Sequence, residues 1–243
     1  MITSAIENRT PFISELGQAD WFQSSNSLFY CRFNVLVYND IYYEKCVIHF
    51  PDSIRKAVPK RKAEFLAGRF CAKKALENVM KNPADVGIGD DRNPLWPDKV
   101  KGSISHCNTS AVAVVNNATD IGGIGIDIEH SISDTTIKNI RSQIVLQEEI
   151  KLFLHSSLTE TTIFTIIFSV KESFFKAAYP IVKRYFDFDA VTVLRIDPAT
   201  RKILFKLNYD LHPTLEKGML LRGEFHMLDD DRLATLVTLP EEM

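Results

Sequence analysis

The stretch Gly122-Gly123-Ile124-Gly125-Ile126-Asp127-Ile128-Glu129 constrains this chain more than any other. Ile124, Ile126 and Ile128 alternate with Gly125, Asp127 and Glu129, the period of a strand with one buried face. Side chains two apart share a strand face, so both carboxylates point the same way. Asp is depleted in strands, and glycines at this density mark a close approach of backbone or ligand. The bland alternative is the solvent face of an edge strand.

Further along runs Phe168-Ser169-Val170-Lys171-Glu172-Ser173-Phe174-Phe175-Lys176-Ala177. Glu172 and Lys176 are four apart there and share a helix face. If that helix packs across the end of the strand, Glu172 and Lys176 join Asp127 and Glu129. Three carboxylates with open positions suit Mg²⁺. Ser169 to Glu172 also fits a capping box, but the apolar spacing through Ile163, Ile166, Ile167, Val170 and Phe174 continues unbroken. Glu172 is therefore read as a helix-interior residue and a ligand. Lys176 has its own rival reading, an ordinary i,i+4 partner of Glu172. Asp127 and Glu172 are expected on a polar site face outside the core, so replacing either is expected to leave the fold intact.

With 243 residues the chain forms one large domain or two small ones and is long enough to bury a core. Its 45% apolar and 25% charged residues are ordinary for a soluble globular protein. A net charge of −2 argues against a nucleic-acid binder and gives no pull toward anionic membrane. An anionic ligand therefore needs a local basic patch. Arg55, Lys56, Lys60, Arg61 and Lys62 around Pro59 supply one, unless they form only a solvated helix start. Cys31, Cys46, Cys71 and Cys107 lack CxxC spacing and read as free thiols of a reducing compartment. Met1 to Pro11 lacks a signal-peptide pattern, and the apolar stretch Ile163 to Val170 is too short to span a bilayer. A cytoplasmic protein without integral membrane segments is expected.

Taken in order, residues 1–27 are weakly patterned. Leu28 to Tyr38 and Tyr42 to Phe50, separated by Asn39-Asp40, read as a strand pair. A short connection between Pro51 and Pro59 has room for one helical turn, and a helix is expected from Lys60 to Lys81. Asn82 to Gly102 reads as irregular, then Gly102 to His106 and Ser110 to Val115 as strands. Asn116 to Asp120 is a turn and the expected boundary between a half at 1–120 and a half at 121–243. The second half continues with a helical pattern over 137–154. Another helix, capped by Ser156, Ser157 or Thr159, ends at Pro180. Two hairpins follow, Ala190–Ile196 with Lys202–Leu207 and Leu220–Leu228 with Leu233–Leu239. The pattern gives an α+β class.

Two further stretches complete the picture: Arg61-Lys62-Ala63-Glu64-Phe65-Leu66-Ala67-Gly68-Arg69, and Trp96-Pro97 followed by Gly102-Ser103-Ile104-Ser105-His106. With G-I-D-I-E at 125–129 and F-S-x-K-E-S-x-F-K-A at 168–177, they resemble the 4′-phosphopantetheinyl transferases of the Sfp-like, enterobactin-synthesis type. The matches keep their order from about residue 60 to 178. Phe168 departs from the Trp of many members, which touches packing and not chemistry.

The resemblance implies two similar α+β halves related by a pseudo-two-fold, with the active site at their interface. The N-terminal half would supply coenzyme A nucleotide and carrier contacts, and the C-terminal half the metal site and catalytic helix. It implies transfer of phosphopantetheine from coenzyme A to a serine of an acyl, peptidyl or aryl carrier protein, by a monomer. The pathway implied is siderophore (enterobactin-like) or other non-ribosomal peptide synthesis. Mg²⁺ would sit on Asp127, Glu129 and Glu172, with Glu172 as general base. Lys176 and His106 would support charge on the pyrophosphate and leaving group. Arg61, Arg69, Arg92, Ser105, His106, Lys171 and Lys176 would contact coenzyme A, Arg61 and Arg69 gripping its 3′-phosphate. Geometry alone pairs Lys62 with Arg69 better, because seven residues make nearly two helical turns. Adjacent residues on a strand face opposite ways, so Ser105 and His106 make no nucleophilic triad, and His130 reads as incidental. The rival from another class is a non-catalytic coenzyme A or nucleotide-binding module.

Overall fold

Every residue from Ser110 to Asn116 is buried, and a strand covered on both faces belongs inside its sheet. It does sit there. The structure is a computed structural model that describes residues 10–22, 26–154 and 157–241, and the chain divides into two units, 1–118 and 119–243.

The first unit contains strands β1 (Ile13–Gln18) and β2 (Ser27–Phe33), then helices α1 (Ile41–Lys45), α2 (Asp52–Arg55) and α3 (Pro59–Glu77). A small ribbon of β3 (Gly87–Ile88) and β4 (Pro94–Leu95) follows, then β5 (Lys101–Cys107) and β6 (Ser110–Asn116). The sheet is antiparallel in the order β1-β2-β6-β5, and α3 lies across β2, β6 and β5. Pro59 opens α3, where a missing amide costs nothing. Phe65, Leu66, Phe70 and Leu76 of α3 are buried in the core of this unit. The single helical turn expected between Pro51 and Pro59 is α2.

The expected strand over Tyr42–Phe50 is not formed. Asn39 Oδ1 accepts from Ile41 N at 2.9 Å, so Asn39-Asp40 opens α1 instead of turning a hairpin. The aromatic residues that mimic a strand serve the core directly. Tyr42 stacks on Phe12 at 5.3 Å between ring centroids, and Tyr43 on Phe50 at 3.8 Å. The partners of β2 are β6 and, in place of Tyr42–Phe50, β1, drawn from the weakly patterned start of the chain. All four cysteines are buried thiols outside any disulfide.

The second unit runs β7 (Ile121–His130), α4 (Asp134–Ile144), α5 (Lys151–Leu154), α6 (Glu160–Val182), β8 (Val191–Asp197), β9 (Lys202–Leu207), β10 (Leu220–Met227) and β11 (Arg232–Pro240). Its antiparallel sheet has the order β7-β11-β10-β9-β8, and α6 lies against β7 and β11. Both expected hairpins form. The helical pattern over 137–154 breaks between α4 and α5, because Val145 and Leu146 are extended and Glu149 folds back to accept from Leu146 N at 2.7 Å.

Thr159 caps α6, its Oγ1 accepting from Thr162 N at 3.1 Å; Ser156 lies outside the described residues. Pro180 does not end the helix. Ala177, Ala178 and Tyr179 are buried just before it, and the packed turn carries on to Val182. The stop is Lys183, left-handed at φ 53°, whose N–H reaches Tyr179 O at 2.8 Å. Among the described residues no helix is long and apolar enough to cross a membrane.

Candidate functional site

Two of the three glycines of β7 let α6 approach. A Cβ on Gly123 would overlap the Ala177 carbonyl oxygen, and one on Gly125 the Ser173 carbonyl oxygen. Gly123, Gly125, Asp127 and Glu129 alternate onto this face of the strand, and Ile124, Ile126 and Ile128 on the other face are fully buried too. The close approach brings the carboxylates of the strand under the charged residues of the helix. Lys176 Nζ donates to Asp127 Oδ1 at 2.7 Å and to Ile126 O at 3.2 Å. Ser169 Oγ donates to Asp127 Oδ2 at 2.8 Å. The expectation that Asp127 lies outside the core is corrected: it is only 3% exposed, because α6 covers the strand end it stands on.

Glu129 and Glu172 complete the group, each acting electrostatically on the same neighbours. Burial first, then the Asp127 charge, pushes the Glu129 carboxyl up to about 8; Lys176 opposes this and Glu172 adds to it. Burial also raises Glu172, with Lys176 pulling it down and Asp127 pushing it up. Three carboxylates thus crowd around one ammonium, short of positive charge. Among the described residues no three His, Cys, Asp or Glu side chains are gathered tightly enough to hold a metal ion as they stand. The donor set nevertheless fits a hard divalent cation. It is all oxygen, it is partly buried, and it carries more carboxylates than Lys176 balances.

Lys171 departs from its expected role. Its side chain is 1% exposed and bonded to Glu149 Oε2 at 3.0 Å and Ile144 O at 2.8 Å. Burial pulls this ammonium below the usual lysine range, with Glu149 opposing. Glu149 also accepts from Val193 N at 2.6 Å. Lys171 therefore ties α6 to the end of α4 and to β8, with two of its three N–H donors used inside the fold. Removing either partner would strand a buried charge, at a cost of about 3–5 kcal/mol.

Beside Glu172 opens a cavity of about 260 Å³ lined by Phe174, Phe175, Tyr185, Phe186 and Phe188. The ring of Phe175 stacks on Tyr185 at 5.8 Å and lies 5.0 Å from Phe186. Lys171, Glu172 and Asp187 line the same slot, so aromatic faces and charged groups together suit a slender chain that carries polar groups along its length.

In the first unit, Arg61 and His106 meet: Arg61 Nη1 and His106 Nε2 are 3.0 Å apart. Glu64 Oε2 stands 3.9 Å from His106 Nδ1 and Glu64 Oε1 3.8 Å from Lys60. Arg69 is apart from this pair. It is buried, donates to Gly87 O at 2.9 Å and stacks over Phe65, with Nε unpartnered. Burial, then repulsion by Arg61, lowers its guanidinium to about 10. With His49, Asp85 and Ile88 it lines a cavity of about 410 Å³. Lys62, the geometric alternative, pairs with Asp40 at 3.4 Å. Arg92 is exposed in the turn of the β3–β4 ribbon with φ 64°. Ser105 is buried on the strand face opposite His106.

Sequence reasoning missed Glu64, Glu149, Ser169, Ser173 and Thr235 as working residues. Ser169 and Ser173 carry a legible signal, two small hydroxyls one helical turn apart, flanked by the apolar Phe168, Val170 and Phe174. Glu149 and Thr235 carry none, since only the tertiary fold brings them to α6.

The family of 4′-phosphopantetheinyl transferase N-terminal domains matches residues 50–116, and the 4′-phosphopantetheinyl transferase superfamily matches residues 123–234. Over 126 residues the chain is 44% identical to the enterobactin synthase component D of Salmonella typhi, covering 52% of each chain. It is 40% identical over 125 residues to the enterobactin synthase component D of Escherichia coli (strain K12), covering 51% of this chain and 58% of that one. To the 4′-phosphopantetheinyl transferase PptT of Mycobacterium tuberculosis it is 31% identical over 137 residues, 56% of this chain and 59% of the other. The chain spans about half the length of the curated relatives it matches.

Proposed function

Since the chain belongs to the 4′-phosphopantetheinyl transferase superfamily, we propose that it moves phosphopantetheine from coenzyme A to a serine hydroxyl of a carrier protein. The observation that carries this reading is the meeting of Asp127, Glu129, Glu172 and Lys176 where α6 crosses β7. Plain binding of an anion has no use for three carboxylates. An enzyme that must hold a cation against a pyrophosphate, and take a proton from a hydroxyl, does.

Asp127, Glu129 and Glu172 would hold Mg²⁺, which when bound supplies positive charge to the donor's pyrophosphate. Glu172 takes the proton from the carrier serine as its oxygen bonds to the phosphorus of the phosphopantetheine arm. The bond from that phosphorus to the bridging oxygen breaks, and adenosine 3′,5′-bisphosphate leaves with the electron pair. Burial raises the proton affinity of Glu172, which makes it a stronger base than an ordinary carboxylate. Lys176 holds negative charge at the reacting phosphate as a point cation. The aromatic slot beside Glu172 takes the pantetheine chain and keeps water from it. Arg61, Arg69, Arg92, Ser105 and His106 are assigned to the nucleotide end, where a guanidinium fork matches phosphate oxygens. Lys171, buried and paired with Glu149, is left out of that set.

The reading also places the protein in the cytoplasm as a monomer. It further assigns the carrier to siderophore or other non-ribosomal peptide synthesis, the class that the names of its enterobactin-type relatives suggest. The test is mass spectrometry of an apo carrier incubated with this protein, coenzyme A and Mg²⁺. A gain of one phosphopantetheine arm that EDTA abolishes is expected. No gain with any of a panel of acyl, peptidyl and aryl carriers decides for the binding-module reading instead.

A further inference from the structure

Behind Asp127, on the side away from Lys176, stands a row of buried hydroxyls. Ser169 Oγ donates to Asp127 Oδ2 at 2.8 Å and lies 2.9 Å from Thr235 Oγ1. Ser173 Oγ lies 2.8 Å from Thr235 Oγ1 and donates to Thr235 O at 3.0 Å. All three side chains are fully buried. Thr235 is also the direct cross-strand partner of Asp127 on β11. Alanine or valine would fill these positions at lower desolvation cost, since a buried hydroxyl is tolerated only when it is bonded.

Counting protons shows what the row does. The carboxylate at one end and the carbonyl at the other only accept. The Ser169 proton is therefore directed at Asp127 and the Ser173 proton at the Thr235 carbonyl. Thr235 alone has a choice, and donating to Ser169 raises the polarity of the bond that Ser169 makes to Asp127. One oxygen of Asp127 is pinned by Ser169 while the other faces Lys176, so the plane of the carboxylate is fixed from behind.

We infer that Ser169 and Thr235 are positioning residues that hold the Asp127 carboxylate for a divalent cation, Ser169 directly and Thr235 through it. The inference rests on the reading of Asp127, Glu129 and Glu172 as a cation site. Hydrogen-bond partners behind a ligating side chain typically carry about 10–100-fold in metal affinity. Ser173 touches neither Asp127 nor Ser169 in this row, and Thr235 keeps its own proton without it.

The test titrates the full-length protein and its variants with Mn²⁺, reading free ion by electron paramagnetic resonance, with no donor or carrier present. Ser169→Ala and Thr235→Val should weaken Mn²⁺ binding about 10–100-fold, Thr235→Ser should restore it, and Ser173→Ala should change it less than about threefold. Thermal unfolding of the same variants without metal gives the second readout. A merely structural role lowers the melting temperature of Ser169→Ala and Ser173→Ala alike and leaves Mn²⁺ affinity unmoved, which overturns the inference. Should Ser169→Ala fail to fold, Thr235→Val against Thr235→Ser decides alone. Wild-type protein that binds no Mn²⁺ overturns the cation site itself, and the inference with it.

Discussion

Gly125 of β7 and Ser173 of α6 lie so close that a Cβ on the glycine would overlap the Ser173 carbonyl oxygen and stand 2.6 Å from Ala177 N. This contact sets how deeply the helix sits on the strand. Asp127 is two residues further along β7, and Glu172 and Lys176 flank Ser173 and Ala177 on α6. The spacing of the site is thus fixed by a missing methyl group.

Gly125→Ala should therefore damage the site more than the fold. Forcing a methyl into a packed contact costs typically about 1–3 kcal/mol and occasionally more, and here the atoms in the way are helix backbone. The helix has to rise off the strand, which pulls Lys176 from Asp127. Chemical denaturation should show a modest loss of stability, with phosphopantetheine transfer reduced far more than that loss explains. A variant as stable and as active as the wild type would show that α6 has room to spare.

Stability should fall as pH rises when no divalent cation is present. Glu129 is pushed up to about 8 and Glu172 is raised, burial leading in both. A folded chain that holds the Glu129 proton above the ordinary carboxylate range keeps its full stabilising contribution below about pH 4.5 and loses it as pH climbs through about 8. Glu172 acts in the same direction. A cation favours the ionised forms, so Mg²⁺ should raise the melting temperature more at pH 8 than at pH 6. Melting curves at both pH values, with Mg²⁺ and with EDTA, check this. An equal or larger gain at pH 6 would contradict it.

The two arginines should separate by donor. Arg61 is exposed and paired with His106, while Arg69 is buried and bonded to Gly87 O. If Arg61 grips the 3′-phosphate of coenzyme A, losing a charge-assisted bond worth roughly 1.5–3 kcal/mol lowers affinity about tenfold to a hundredfold. Dephospho-coenzyme A lacks that phosphate and should scarcely respond. Arg61→Ala should therefore lower kcat/KM for coenzyme A strongly and for dephospho-coenzyme A little. Arg69→Ala should lower the unfolding midpoint as well, because its guanidinium spans Gly87 and Phe65. An equal loss for both donors with Arg61→Ala would move that residue away from the 3′-phosphate.

Local pattern in the sequence determined the strand 121–130, the continuous helix through Glu172, both C-terminal hairpins and the α+β class. Each rests on periodicity or turn chemistry that neighbouring residues carry between them. It also singled out Asp127, Glu129, Glu172 and Lys176, because two residues on a strand and four on a helix each define one face. Tertiary structure decided the rest. Tyr42–Phe50 has the composition of a strand, but β2, its expected partner, is paired on both sides by β1 and β6, and its aromatic rings went to the core instead. Lys171 and Lys176 are equivalent by charge and nearly adjacent in sequence. Which one meets Asp127 and which is buried against Glu149 depends on the angle at which α6 lies over β7. That angle follows from contacts between residues far apart in the chain: Gly125 with Ser173, Thr235 with Ser169, Glu149 with Lys171. Such contacts leave no period in the sequence, because the distance that matters closes only when the helix is laid on the sheet.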